Sequence, residues 1–428
     1  MKVRLDVKQL RIGHYVYLPL KWGQHPFLLN SFKIKSNEQL SIIKQLGIST
    51  ITINALKSDV HDEPVSPLNS DSNLDLTTDA NTDENSENSL ESVAEEALDE
   101  MWLKKQDSCK QFAAIEDRIH RSKEAFANTL NDVQDIFDLD KLRENPSVSQ
   151  SLAIVNFIYK NIDTESGSAI HLMNDSVGYS RLHYHSLNVS LLSVLICQAK
   201  GFTPKQCQLV AFSALYHDIG KTQLPVSLLS KPHPLDDNDQ KRLCSHLEKS
   251  LKIVAKIPKF PEAALKLIGQ HHELNDGSGY PNSLSRDEIH QLSRVLILAN
   301  AYDNLCNGLD NQCSPHNALT YLYNKCRGQH DVKDIMALIS VVGVYPPGTI
   351  VELSDHQIGV VISTNKETRL SPYILVYDQD VPRDQAAIIN IAEFGLSITN
   401  VLDSKALTLD QYHYLNPSSQ STYFIDVE

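Results

Sequence analysis

The sequence predicts a mainly α protein: an all-helical domain flanked by a small α+β module and a small β-rich tail. Three features carry that expectation. From Met101 to Val342 apolar side chains recur with the helical period. Residues 1–56 and 343–428 instead alternate apolar and polar side chains, as half-buried strands do. Between the first module and the helices, residues 57–100 carry almost no large apolar side chain.

Each element follows from local pattern. In residues 1–56, "HYVYLPL", "PFLLNSFKI" and "ISTITIN" read as short strands. "SNEQLSIIKQLG", with its Ser/Asn start and Gly stop, reads as one helix. Residues 57–100 hold 14 Asp and Glu against one Lys, too little apolar surface to offset the entropy of ordering, so a disordered acidic linker is expected there. That segment accounts for nearly all of the chain's formal charge of −14, which leaves the folded parts close to neutral. Nucleic acid is not an expected partner. Residues 101–342 contain helical runs such as "CKQFAAIEDRIHRSKEAFANTLNDVQDIF" and "LNVSLLSVLICQAKG", separated by polar or Pro/Gly breaks. Residues 343–428 bring "YPPGTIVELSDHQIGVVIS", strands around a turn at Ser354–Gln357, and "SPYILVYDQDV". No internal repeat is present.

The seven cysteines, at 109, 197, 207, 244, 306, 313 and 326, form no Cys-x-x-Cys pair. No apolar run approaches the roughly 20 residues of a membrane span, and no signal peptide is recognised. A reduced, cytoplasmic protein is the expectation.

The chemistry concentrates in the histidines. His185 lies near the start of an apolar helix, and His217 with Asp218 closes another, "QLVAFSALYHDIGK", where Gly220 reads as the C-cap. His246 falls on "DQKRLCSHLEKSLKIV", and His271 with His272 closes "PEAALKLIGQHHE". Singly, each is more often a core or surface residue than a ligand. Together they are nitrogen and oxygen donors without thiolates on several helices of one domain, as a metal site in a bundle core requires. Such donors favour Fe, Mn or Zn over a structural zinc of Cys type.

"YHDIGK" followed by "HHELNDGSGYP" resembles the HD-GYP family, bacterial phosphodiesterases within the HD hydrolase superfamily. The resemblance runs from about residue 177 to 342 and extends more loosely to the N-terminal module and the "YPPGTIVEL" tail. It implies an all-helical fold, two divalent ions (Fe or Mn), and hydrolysis of cyclic di-GMP or a related cyclic dinucleotide to linear dinucleotide or GMP. By the same resemblance, His185, His217, Asp218, His246, His271 and His272 are metal ligands, Asp218 bridges the two ions, and Lys221 lies beside the scissile phosphate. Gly277, Gly279, Tyr280 and Pro281 are the signature loop bordering the pocket. Diguanylate cyclase or other signalling proteins are implied partners at that loop.

Departures from the family pattern leave two functions open. Asn300 stands where the family has its last aspartate ligand, offering a carbonyl oxygen without charge. Asp303, three residues on, is expected outside the ligand set. Leu309 and Gln312 stand where relatives carry cations for the substrate phosphates, and Arg181 replaces a glutamate of three-metal members. Ser283 and Ser285 replace loop glycines, a mild change. The first function is an active phosphodiesterase with Asn300 as a tolerated ligand. The alternative is a weakened domain acting as a regulatory binding or interaction module.

Overall fold

The computed structural model describes residues 2–60, 84–138, 147–161, 171–172, 181–231, 234–308, 313–364, 370–379, 381–383, 386, 388–416 and 423–424. It is mainly helical, with an antiparallel sheet near each end of the sequence, as the sequence predicts. Two compact units divide the chain: Met1–Ala114 with Leu353–Gln357 and Val376–Ile389, and the remainder.

In the first unit, β1 (Lys2–Asp6), β2 (Tyr15–Tyr17), β3 (Ser31–Lys33) and β4 (Thr50–Asn54) form one sheet in the order β1-β4-β2-β3. Lys2 pairs with Asn54 and Asp6 with Thr50, so Ile51 and Ile53 turn to the core with Val16. Helix α1 (Asn37–Gln45) starts where Ser36 Oγ accepts from Gln39 N at 3.3 Å, and it buries Ile42 and Ile43 in the same core.

Helix α2 (Glu84–Phe137) corrects the expected disordered linker over 57–100. Residues 61–83 of that segment lie outside the described residues. From Glu84 onward the composition is still acidic, but Leu90, Val93, Ala97, Leu98 and Met101 recur at helical spacing among strong helix formers. Leu98 and Met101 pack against the core of the first unit, which rewards ordering that the segment's average composition concealed.

The second unit is a helical bundle. Its core takes Phe126, Leu130, Val133 and Ile136 from the later part of α2, and Ile154, Val155 and Ile158 from α3 (Ser147–Asn161). At the centre runs α4 (Arg181–Ala199), buried without a gap from Ser186 to Cys197, an all-round burial that matches a helix apolar on every face. Around it follow α5 (Pro204–Tyr216), α6 (Val226–Leu229), α7 (Asp237–Cys244), α8 (His246–Val254), α9 (Glu262–Gly269), α10 (Gln291–Asn307), α11 (Pro315–Lys325) and α12 (Val332–Val342). Helices α5, α10 and α12 pack directly on α4.

The second sheet has the order β10-β6-β7-β5-β11, with β8 between β7 and β9. Its strands are β5 (His171–Leu172), β6 (Ile350–Leu353), β7 (Ile358–Ser363), β8 (Tyr373–Val376), β9 (Ile388–Asn390), β10 (Ile398–Leu402) and β11 (Tyr423–Phe424). β6 and β7 are joined by the turn expected at 354–357, with Ile350 opposite Val360. Two details depart from expectation. β5 arises inside the stretch read as all-helical, because its pairing partners β7 and β11 lie far along the chain. The tail also contains a short helix, α13 (Leu409–Leu415), opened by a Thr408/Gln411 capping box. No helix among the described residues is long and apolar enough to cross a membrane.

Candidate metal centre

The five histidines and Asp218 reach one place from helix ends. His185 sits one turn into α4, and His217 is the residue at which α5 ends. Asp218 to Gln223 then turn through a 3-10 segment, so Gly220 is not the helix C-cap read from the sequence. Its role is close approach: a Cβ there would lie 2.1 Å from His246 O and 2.5 Å from Ser250 N. Gly220 N donates to Ser250 Oγ at 2.8 Å, which fastens the Asp218–Lys221 turn to α8. The helix read across His246 is broken at Ser245, which makes His246 the first residue of α8. His271 and His272 follow α9, which ends at Gly269, rather than lying within it.

Asp218 divides its two oxygens between two groups of donors. Oδ2 faces His185 Nε2 at 3.4 Å, His217 Nε2 at 3.4 Å and Lys221 Nζ at 2.5 Å. Oδ1 faces His246 Nε2 at 3.1 Å and His271 Nε2 at 3.6 Å. His272 Nε2 joins the second group, 3.0 Å from His246 Nε2. His185, His217 and Asp218 thus form one set of converging ligand atoms, and Asp218, His246, His271 and His272 the other.

Backbone carbonyls set the tautomers. His217 Nδ1 donates to Ala214 O at 2.7 Å, His246 Nδ1 to Leu243 O at 2.6 Å and His271 Nδ1 to Ile268 O at 2.7 Å. A carbonyl only accepts, so each proton is on Nδ1 and each Nε2 of a neutral ring presents a lone pair. His185 Nδ1 instead meets Asp303 Oδ2 at 2.6 Å. Asp303 is fully buried, and its other oxygen accepts from Asn188 at 3.0 Å and Asn307 at 2.8 Å. This carboxylate behind a histidine orients the ring and raises its basicity.

The charges follow from these contacts. Burial chiefly holds His217, His271 and His272 below the usual histidine range, hence neutral. Burial also pulls on His185, but the Asp218 and Asp303 carboxylates outweigh it and bring its pKa up to about 9. For Asp218, burial opposes ionisation, yet Lys221, His217, His185 and His246 hold the carboxyl well below its usual value.

These donors fit a divalent cation. Asp218 Oδ1 is buried without a hydrogen-bond donor among the described residues, because the rings beside it have committed their protons to carbonyls. The lone pairs of His246 and His271 face each other at 3.4 Å next to it. A cation among them satisfies the orphaned oxygen and relieves the facing lone pairs, with nitrogen and oxygen donors only.

The loop after the paired histidines is tightly built. A Cβ on Gly279 would lie 2.4 Å from Leu274 N and 2.5 Å from His272 O, so only glycine fits, and Gly277 adopts φ +75°. Tyr280 is half-buried and Pro281 exposed. Glu273, which sequence reasoning passed over, is fully buried and accepts from Asn282 N at 2.8 Å and Leu284 N at 2.9 Å. A carboxylate immediately after the histidine pair was the available signal. Asn300 lies on α10 with its Oδ1 accepting from Asn304 at 2.8 Å. Arg181 donates to Asn307 O. Leu309 and Gln312, the positions of the missing cations, lie outside the described residues.

Residues 171–331 match the HD domain model, and residues 2–149 match a domain of unknown function, DUF3391. The cyclic di-GMP phosphodiesterase PA4108 of Pseudomonas aeruginosa is 22% identical over 382 residues, 88% of this chain and 85% of that protein. The 3'3'-cGAMP-specific phosphodiesterase 3 of Vibrio cholerae is 31% identical over 121 residues, 28% of this chain and 26% of that protein. Among solved structures, Bd1817, an HDG"Y"P protein from Bdellovibrio bacteriovorus, aligns with a TM-score of 0.41 at 19% identity, covering 79% of this chain and 98% of that one. Residues 171–331, which carry the His-Asp pair and the GYP loop, are therefore an HD domain.

Proposed function

We propose that this chain is a metal-dependent phosphodiesterase that hydrolyses cyclic di-GMP, or a related cyclic dinucleotide, to linear dinucleotide or GMP in bacterial second-messenger signalling. The observation that carries the reading is the division of one buried carboxylate, Asp218, between two sets of converging imidazole nitrogens. His185, His217 and Asp218 would hold one ion; Asp218, His246, His271 and His272 would hold the other. Fe or Mn suits this thiolate-free set. When bound, such ions supply Lewis acidity, which acidifies water and neutralises charge on phosphoryl oxygens.

The chain's own residues supply the rest. Lys221 is tied to Asp218, and at 20% side-chain exposure it can also present its ammonium to a phosphate oxygen that gains charge during attack. Carbonyl-anchored rings hold their geometry before substrate arrives, so little reorganisation accompanies the reaction. The GYP loop, with Tyr280 half-buried and Pro281 exposed, is where signalling proteins such as a diguanylate cyclase would dock. The seven free cysteines suit a reducing compartment, the cytoplasm.

The test is cyclic di-GMP hydrolysis by protein purified anaerobically and loaded with Fe or Mn, with metal content measured on the same sample. Product from the unmodified chain with about two ions bound is expected, together with its loss in His272→Ala. Asn300→Asp, which adds a charged oxygen on α10, is expected to tighten the first ion and raise turnover. Bound metal without product, in both the unmodified chain and Asn300→Asp, would sink the enzyme reading and leave a regulatory binding module.

A further inference from the structure

The five imidazoles are not held alike. Four are fixed through Nδ1: His217, His246 and His271 by a carbonyl three residues back, and His185 by Asp303. For His272 no such partner of Nδ1 is found among the described residues. Its ring instead lies nearly flat on Tyr280, with centroids 4.5 Å apart and planes 17° from parallel. Tyr280 N donates to His272 O at 3.1 Å, which locks the two residues together through the backbone as well.

Tyr280 is itself held from three sides. Gly279 brings the backbone against His272 and Leu274, leaving no room for a Cβ. Glu273 clamps the far side of the loop through the amides of Asn282 and Leu284. The phenol lies beside the Cys244 thiol at the end of α7. A ring fixed in this way is a rigid wall, and a stacked aromatic pair contributes on the order of 0.5–1.5 kcal/mol beyond its buried area. His272 is packed edge to ring against His246 on its other side, centroids 5.0 Å apart, so the wall leaves one orientation for its Nε2.

We propose that Tyr280 is the positioning residue for His272, holding by stacking the ring plane that hydrogen bonds fix in the other four histidines. The proposal deepens, and rests on, the reading of the cluster as a metal centre. It gives the tyrosine of the GYP loop a task toward the ion held by His246, His271 and His272, separate from any contact with substrate. Loss of a residue that orients a metal ligand lowers metal affinity by about 10–100-fold.

The experiment is Mn²⁺ titration by calorimetry of the full chain, alongside Tyr280→Phe and Tyr280→Leu, with thermal melting of each metal-free protein as a check on folding. Phe keeps the stacked ring and loses only the hydroxyl, so two ions are expected at nearly unchanged affinity. Leu fills similar space without a flat ring, and one of the two ions is expected to weaken by about 10–100-fold while the other is unchanged. Unchanged binding in the Leu variant, or equal weakening in the Phe variant, would overturn the proposal. Absence of Mn²⁺ uptake by the unmodified chain would overturn the metal reading itself, a result visible before either variant is compared.

Discussion

Gly220→Ala is the sharpest test of how the site is assembled. The added Cβ would stand 2.1 Å from His246 O, where about 3.0 Å is the closest approach that real Cβ atoms make, so the backbones must part by roughly 0.9 Å. It would also press on Ser250 N at 2.5 Å and displace the Ser250 Oγ that accepts from Gly220 N at 2.8 Å. Overpacking of a buried contact costs about 1–3 kcal/mol, and loss of a neutral hydrogen bond about 0.5–1.5 kcal/mol. A destabilisation of roughly 2–4 kcal/mol follows, or about 4–16 °C in Tm at 2–4 °C per kcal/mol for a domain of this size. The functional effect is larger than the stability effect, because the displaced turn carries Asp218 and Lys221 while α8 carries His246. A misplacement near 1 Å costs on the order of 10²-fold in rate. Differential scanning calorimetry of the metal-free chain and cyclic di-GMP turnover of the metal-loaded chain read the two effects. A variant that melts and turns over like the unmodified protein would refute the close approach as the reason for glycine.

Three further perturbations address other parts of the unit. Asp303→Asn keeps the shape behind His185 but removes one of the two carboxylates, Asp218 and Asp303, that together raise its pKa to about 9, so NMR titration is expected to show His185 losing its proton at lower pH. The same variant is expected to bind the ion shared by His185 and His217 about 10–100-fold more weakly. Glu273→Gln replaces one of two accepting oxygens with an amide that confronts a backbone N–H; faster hydrogen exchange across 277–285 with α4 unchanged is the expected result, and uniform exchange would count against the clamp. His330 is buried and its pKa is brought down from 6.5 to about 4, chiefly by burial. It stays neutral in the fold while the unfolded chain takes up a proton below pH 6.5, so stability is full above that pH and is lost as pH falls towards 4. The loss amounts to about 3 kcal/mol by urea unfolding, and His330→Gln should flatten that part of the profile.

Much of this could be read from the sequence because it is local. Helical period placed the bundle, and alternation placed β2, β4 and the β6–β7 turn at 354–357. The candidate donors were identifiable as a set, since histidines and an aspartate without thiolates in one helical domain point to few chemistries. Composition misled over Glu84 to Glu100, where an average over an acidic segment masked a run of apolar side chains at helical spacing. It could not find β5 either, because two residues become a strand only when distant chain pairs with them.

The sequence by itself determined the HD domain, the helical class and the candidate donor side chains, all properties carried by residue type and short-range spacing. Tertiary structure alone decided which atoms meet. It split Asp218 between two donor sets, gave Asp303 to His185, left Oδ1 without a donor and laid Tyr280 against His272. Those contacts join residues up to 118 positions apart, and no local propensity encodes the approach of two helices. Their packing does, through features as small as the missing Cβ of Gly220.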